Sequence, residues 1–135
     1  MFSEQNITKA MSQKELMAFV RDMFEHDLLL DLLCVIKNED VKAKFPEEHK
    51  RLESEWEKIH HVEIYIGEVC ARAMEKWFWP VYWNSSKTKE DKLLAYTKMI
   101  MFRKNRMNRL NKVLYHRYKN IVDYGRANGL FASRC

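Results

Sequence analysis

Residues that interrupt helices are scarce in this chain of 135 residues, which has three glycines and two prolines. So few turn-forming residues exclude the β-hairpins, glycine-rich phosphate loops and low-complexity linkers that depend on them. Long apolar runs are also missing, since the stretch LLLDLLCVI is broken by a charge and falls short of the roughly 20 residues that span a bilayer. The polar N-terminus has no apolar run behind a basic start. We therefore expect neither a signal peptide nor a membrane span.

Cysteine is scarce too, because Cys34, Cys70 and Cys135 are odd in number and show no Cys-x-x-Cys spacing. This usage predicts ordinary thiols in a reducing, cytoplasmic location. There is no Walker loop, glycine-rich dinucleotide turn or Ser-His-Asp order, so we expect no catalysis. Glu57 and His60 have the Glu-x-x-His spacing of di-iron bundles, but the chain has no second copy of it. We therefore expect no metal and no cofactor.

Helix signals, by contrast, are plentiful. Ser12 begins a capping box, SQKE, and a first helix is predicted over about residues 13–37. Asn38 opens a polar stretch that has room for one or two helical turns. Pro46 suits the first turn of a second helix, predicted from residue 46 to about residue 78.

A third helix opens at Thr88, which forms a second capping pair with Asp91. Pro80 should end the second helix, because proline disfavours helical geometry in the residue before it. The third helix can run to Tyr124, with Gly125 as a left-handed cap at its C-terminal end.

No segment alternates apolar and polar side chains as a strand would. Three long amphipathic helices with short connections predict an all-α fold, an up-down-up bundle of three antiparallel helices. The third helix is long for a globular protein, so we expect a kink near residues 103–109. We predict one domain over residues 1–135, with a short flexible N-terminus, 1–11, and a C-terminal tail, 126–135.

Charge is divided unevenly along the chain. Residues 1–86 hold 11 Lys and Arg against 16 Asp and Glu, a net charge of −5 (11 − 16), and residues 87–135 hold 13 against 3, a net charge of +10 (13 − 3). This division has two interpretations: the basic part is a phosphate-binding surface, or the two parts neutralise each other across an antiparallel helix pair.

The third helix carries most of the basic charge, and between Lys92 and Asp123 no carboxylate offsets its eight Lys and Arg residues. At about 100° per residue, with Arg103 at 0°, four of these eight cations, Lys98, Arg109, Lys112 and Lys119, point to about 160–240°, away from the apolar stripe. Unless the second helix neutralises it, or it is a plain solvated face, such a surface attracts phosphate. The predicted nucleic-acid-binding residues, here called the basic set, are Lys98, Arg106, Arg109, Lys112, His116 and Lys119.

Arg103 is the exception, because it falls within the apolar stripe that lies between about 340° and 60°. A guanidinium buried there needs a partner. Glu63 holds the matching place between Ile59 and Ile66 on the second helix, so we predict a buried or half-buried ion pair between Arg103 and Glu63.

Aromatic side chains crowd the end of the second helix, where five of the seven residues in WFWPVYW carry rings. Large rings can plug the end of a bundle, and we expect Trp77 and one other ring inside, with Trp79 or Trp83 partly exposed. Alternatively, Trp79, Tyr82 and Trp83 stack on unpaired bases, dock a protein partner or anchor at a membrane interface.

Arg109 and His116 lie seven residues apart in the third helix. This spacing resembles the Arg-x(6)-His pair of the small helical ribonucleases called HEPN domains. The resemblance covers these two residues and the all-helical class, and it implies that His116 is a general acid or base and Arg109 a phosphate clamp.

The sequence thus predicts a non-catalytic binding or adaptor protein whose basic third helix engages RNA or DNA. The main alternative is a protein-binding regulator or inhibitor that uses the aromatic loop, with an acidic protein surface as partner. The chain's frequent use of Lys, Asn, Ile and Met fits an AT-rich genome such as that of a phage or parasite. Such an origin would suit a viral regulator. The HEPN-like ribonuclease is a third hypothesis, and a homodimer is left open.

Overall fold

The computed structural model describes residues 7–131 of the chain, and over these residues it contains helices and connections but no strand. The predicted all-α helical bundle with three long helical stretches is confirmed. None of the helices in the described part is long and apolar enough to cross a membrane. The single domain over residues 1–135 stays a prediction, and the ends of both predicted tails, residues 1–6 and 132–135, lie outside the described residues.

Seven α-helices and one π-helical turn follow one another along residues 7–131. They are α1 (Gln13–Glu25), α2 (Leu28–Val35), α3 (Glu39–Lys44), α4 (Pro46–Ala73), the π-helical turn (Met74–Phe78), α5 (Trp79–Tyr82), α6 (Lys89–Arg117) and α7 (Lys119–Ala127).

The predicted helix starts are confirmed by their capping bonds. The N–H of Glu15 donates to Ser12 Oγ at 3.1 Å at the start of α1. At the start of α6, the N–H of Asp91 donates to Thr88 Oγ1 at 3.1 Å and the N–H of Thr88 donates to Asp91 Oδ2 at 3.2 Å. Asn38 caps α3, which is the short helix expected after it. Each bond spans three residues, so it depends on local sequence alone.

The predicted helix over residues 13–37 starts correctly but is interrupted between α1 and α2. Asp27 has an extended backbone there, and its carboxylate accepts hydrogen bonds from two following N–H groups, which starts a new helix. Asn111 bonds to the groups that the break leaves open: its amide donates to the His26 carbonyl at 2.9 Å, and its Oδ1 accepts from the Leu28 N–H at 3.2 Å.

Pro80 does not end the second long stretch, contrary to the prediction. In the π-helical turn before it, the N–H of Trp79 bonds to the Met74 carbonyl, five residues back. We attribute the continuation to this wider turn, which accommodates a proline that has no N–H to donate. The chain therefore continues as α5 to Tyr82.

The kink near residues 103–109 stays a prediction, although α6 runs through these residues as one continuous helix. The interruption comes at Tyr118, with φ −123° and ψ 37°, and α7 follows it. Gly125 is not a left-handed cap but a buried residue inside α7, packed against the ring of Phe131. The glycine with positive φ, 65°, is Gly129, after the end of α7.

The chain forms two compact units. The first contains residues 7–25 and 63–107, and the second contains residues 26–62 and 108–131. In the first unit, Cys70, Ala73, Met99 and Phe102 form a buried cluster, and Trp77 meets Phe102 edge to face with ring centroids 5.2 Å apart.

The second unit has the more completely buried core. Its apolar side chains with no exposed surface are Leu32, Val35, Val41, Leu52, Tyr118, Ile121 and Val122. They come from α2, α3, α4, α7 and the residue that separates α6 from α7.

Arg103 is exposed, so the predicted burial and pairing with Glu63 are wrong. In the first unit α6 packs on two sides: Thr97, at about 120°, accepts a hydrogen bond from the Met11 N–H, whereas Phe102, at about 260°, packs on Trp77. Arg103, at 0°, falls on neither packed side. A single apolar stripe on α6 would have buried Arg103. With two packed sides, different positions of α6 are buried and Arg103 is exposed.

The cysteines only partly follow the prediction of ordinary thiols. Cys70 is a free, buried thiol, and burial raises its pKa. Cys34 is disulfide-bonded, which corrects the prediction for that residue. Cys135 lies outside the described residues. The cytoplasmic location stays a prediction.

Candidate nucleic-acid interface

Four members of the basic set belong to the second unit, and all four are exposed. Arg109, Lys112 and His116 follow one another at steps of three and four on α6, which places them on one side of that helix. The buried Leu110 and Leu114 occupy the opposite side, as the angle argument requires. Lys119 is the first residue of α7.

These four residues, here called the basic face, have no carboxylate within 4.0 Å among the described residues. Three carboxylates of α4 in the same unit bind elsewhere. Glu48 accepts a hydrogen bond from the Ile121 N–H at 3.3 Å, and Glu53 lies 2.8 Å from His49 Nδ1. Glu55 binds Arg117 and Tyr118. No direct ion pair with α4 therefore neutralises the basic face.

The interruption between α6 and α7 is held by three residues of α4, spaced three and four apart. Glu48 bonds to an N–H in the first turn of α7, which has no side-chain cap of its own. Arg51 donates to the Arg117 carbonyl at 2.5 Å, and its guanidinium lies 5.5 Å from the Tyr118 ring centroid. Glu55 accepts two hydrogen bonds from the Arg117 guanidinium.

The contact between Glu55 and Arg117 changes the electrostatics of this junction. The Arg117 hydrogen bonds hold the pKa of Glu55 below its usual value, and the same bonds raise the pKa of Arg117. Burial raises the pKa of Tyr118, and the nearby Glu55 carboxylate raises it further. Arg117 is therefore held by a carboxylate, unlike the cations of the basic face.

Lys98 and Arg106, the other members of the basic set, lie in the first unit and are half-buried. The Arg106 guanidinium lies 4.7 Å from the ring centroid of Phe102, so its side chain covers part of the core. Both residues stand near the packed side of α6 that contains Phe102, which is why they are less exposed than the basic face.

The HEPN-like pair, Arg109 and His116, is exposed on one side of α6. Seven residues of helix separate the two by about 10.5 Å along the axis. The ring of His116 lies 6.2 Å from that of Tyr115, and no hydrogen bond between Arg109 and His116 occurs in the described structure. Within residues 7–131, no group of three His, Cys, Asp or Glu side chains is arranged to hold a metal ion.

The aromatic residues of the WFWPVYW segment follow the prediction only in part, because none of their rings is fully buried and both Trp79 and Trp83 are exposed. Trp77 and Phe78 pack partly buried against the core cluster. Trp79 and Trp83 are 39% and 74% exposed and stack at 6.0 Å with 17° between their planes. Tyr82 is 42% exposed, with its ring centroid 4.8 Å from that of Trp83. The three exposed rings, here called the aromatic cluster, form one contiguous patch.

No protein-family model, no curated protein and no solved structure matches this chain. The fold defines its class, an all-α helical bundle, and its function rests on its own residues. Sequence reasoning missed the junction residues Glu48, Arg51 and Glu55, although their spacing of three and four marks one side of α4.

Proposed function

We propose that this protein is a non-catalytic nucleic-acid-binding protein whose basic face contacts phosphates. The observation that carries the proposal is the pairing pattern in the second unit. Arg109, Lys112 and His116 are exposed on one side of α6 without a carboxylate within 4.0 Å, although α4 contains several carboxylates. Arg109 and Lys112 are unpaired cations three residues apart, so they repel one another, and an anion with several charges relieves that repulsion.

Phosphate is the fitting anion because a nucleic-acid backbone offers charges in a row. Duplex DNA carries a phosphate about every 3.4 Å along each strand, and cations three and four residues apart on a helix are separated by about 4.5–6 Å along its axis. Cations at this spacing can reach neighbouring phosphates without reading base edges. The proposal therefore concerns backbone contacts and not sequence-specific recognition.

The test is the salt dependence of binding by the double variant Arg109→Ala/Lys112→Ala. Fluorescence anisotropy with labelled single-stranded and duplex oligonucleotides, over about 50–200 mM salt, gives the slope of log affinity against log salt. Two lost phosphate contacts should flatten that slope by roughly 1.4 units for single strands and 1.8 for duplexes, for all sequences alike.

The matched control is Lys37→Ala/Lys58→Ala, which removes the same charge from exposed positions elsewhere in the second unit. If the control flattens the slope as much as the test variant, net charge and not the basic face explains binding. Absence of wild-type binding at about 50 mM salt, where attraction is strong, would refute the proposal. A ribonuclease would instead cleave RNA and lose that activity in His116→Ala.

A second candidate function, a protein-binding regulator, is favoured by the aromatic cluster. Tryptophan and tyrosine dominate protein-binding hot spots, and Trp83 is 74% exposed with its ring fixed against two neighbours. Trp83→Ala separates the alternatives in the same titration. If bases stack on the cluster, this variant weakens single-stranded binding far more than duplex binding, and a protein-docking role predicts no change in either.

A further inference from the structure

The first unit contains an open groove of about 740 Å³, within the range of about 300–1,000 Å³ that small-molecule sites occupy. Its walls are mostly apolar. The apolar and aromatic residues that form them include Leu16, Met17, Val20, Phe78, Leu93 and Tyr96. None of these residues belongs to the basic face or to the basic set.

Helical spacing explains why these side chains converge. Leu16, Met17 and Val20 follow one another at steps of one and three, on one side of α1. Leu93 and Tyr96 are three apart on α6, and Phe78 closes the π-helical turn. Met17 is 62% exposed and Tyr96 38% exposed, so the groove presents apolar surface to the solvent.

The charged residues that line the groove are all basic: Arg21, Lys89 and Lys92. No Asp or Glu lines it, and none of these three cations has a carboxylate within 4.0 Å among residues 7–131. The ammonium group of Lys92 lies 5.6 Å from the ring centroid of Tyr82, which also lines the groove. An apolar groove with unpaired cations complements a molecule that is apolar along its length and negative at one end.

We propose that this groove binds a single fatty acid, with the alkyl chain along the apolar walls and the carboxylate at Arg21, Lys89 or Lys92. The alkyl chain covers the surface that Met17 and Tyr96 expose, and the carboxylate offsets the unpaired positive charge. Because the groove is concave, the ligand is a monomer in solution and not the surface of a bilayer. This site shares no residue with the basic face, and the member of the aromatic cluster that lines it is Tyr82.

Calorimetric titration with decanoate and dodecanoate below their micelle concentrations tests the alkyl part of the proposal. Each fully buried methylene tightens binding about fourfold, so two added methylenes should tighten it by about fourfold when half-buried to about fifteenfold when fully buried. Dodecyltrimethylammonium, which has the same chain and the opposite charge, should bind at least about tenfold more weakly than dodecanoate.

Variants test whether dodecanoate binds in the groove. Met17→Glu places a carboxylate in the wall at an exposed position and should weaken dodecanoate binding about tenfold or more. Ile64→Glu, at a 46% exposed position of the same unit that does not line the groove, is the matched control. Arg21→Gln/Lys92→Gln should weaken binding roughly fivefold, with Lys14→Gln/Lys87→Gln as the charge-matched control. Circular dichroism checks that each variant folds.

Four results would overturn the proposal. The first is no heat of binding with dodecanoate at either of two temperatures, because apolar burial changes the heat capacity even where its enthalpy is near zero. The second is equal affinity for decanoate and dodecanoate. The third is equal weakening by Met17→Glu and Ile64→Glu. Binding to anionic vesicles without binding to monomeric dodecanoate would assign the surface to a bilayer and would also overturn it.

Discussion

The two units expose different chemistry. Among the described residues, the first unit holds seven of the ten exposed large hydrophobic side chains, and the second holds seven of the eight large side chains that are fully buried. The second unit thus buries its apolar residues and leaves cations at its surface, while the first leaves rings and a groove open. The difference fits the two proposals, in which phosphates contact the second unit and an apolar ligand binds the first.

The largest expected effect compares the same substitution in the two units. Leu32→Ala in the second unit should lower the free energy of unfolding by about 4–5 kcal/mol, because Leu32 is fully buried and the change leaves a closed cavity. Leu16→Ala in the first unit should lower it by about 2–3 kcal/mol, since Leu16 already borders the open groove. Urea unfolding measures both values.

Leu33→Ala is the control for this pair, because Leu33 follows Leu32 directly but is 45% exposed. Its effect should stay under about 1 kcal/mol. Equal losses for Leu16→Ala and Leu32→Ala would show that the first unit is packed as tightly as the second, and the comparison would fail.

Replacing a glycine by alanine should change the stability less, and with opposite signs in the two units. In Gly125→Ala the new Cβ would meet the Phe131 ring at 2.3 Å, so stability should fall by roughly 1–3 kcal/mol. In Gly67→Ala the new Cβ meets nothing within 4 Å and α4 loses a helix-weakening glycine, so stability should rise by about 0.5–1 kcal/mol. Thermal or urea unfolding distinguishes the two signs.

Phe131→Ala serves as the control for the steric argument. If the Phe131 ring is the obstacle, adding Gly125→Ala to this variant should cost much less than it costs in the wild type. An equal cost in the two backgrounds would mean that the ring can move away freely.

The smallest effect concerns acid stability and the Glu55–Arg117 pair of the second unit. Arg117 holds the folded-state pKa of Glu55 below its usual 4.5. The pair therefore stabilises the fold fully above about pH 4.5, and this contribution is lost as the pH falls through the lower folded-state pKa. Glu55→Gln should thus be less stable than the wild type near pH 7, and the gap should close in acid.

Urea unfolding at a series of pH values tests this prediction. Glu68→Gln in the first unit is the matched control, because Glu68 lies 4.0 Å from Arg72 in an exposed pair that should contribute little at any pH. A pH-independent gap for Glu55→Gln would show that the carboxylate acts through packing and not through its charge.

The two halves of α6 differ in how well the sequence predicted which side chains are exposed. In its second half, the rotation per residue placed Arg109, Lys112 and His116 on the exposed side, because one packed side is enough to describe that segment. In its first half the same calculation put Arg103 in the core, and it failed because Thr97 and Phe102 pack on different sides. Periodicity predicts a buried side only where a helix has one packed side.

The sequence by itself determined the helical class and the capped starts of α1, α3 and α6. These features rest on contacts between residues three or four positions apart, which spacing alone defines. Only the tertiary structure decided how the breaks at Asp27 and Tyr118 are secured, because those bonds join residues 62 to 85 positions apart. The groove likewise exists because sides of α1 and α6, distant in sequence, converge in the folded chain.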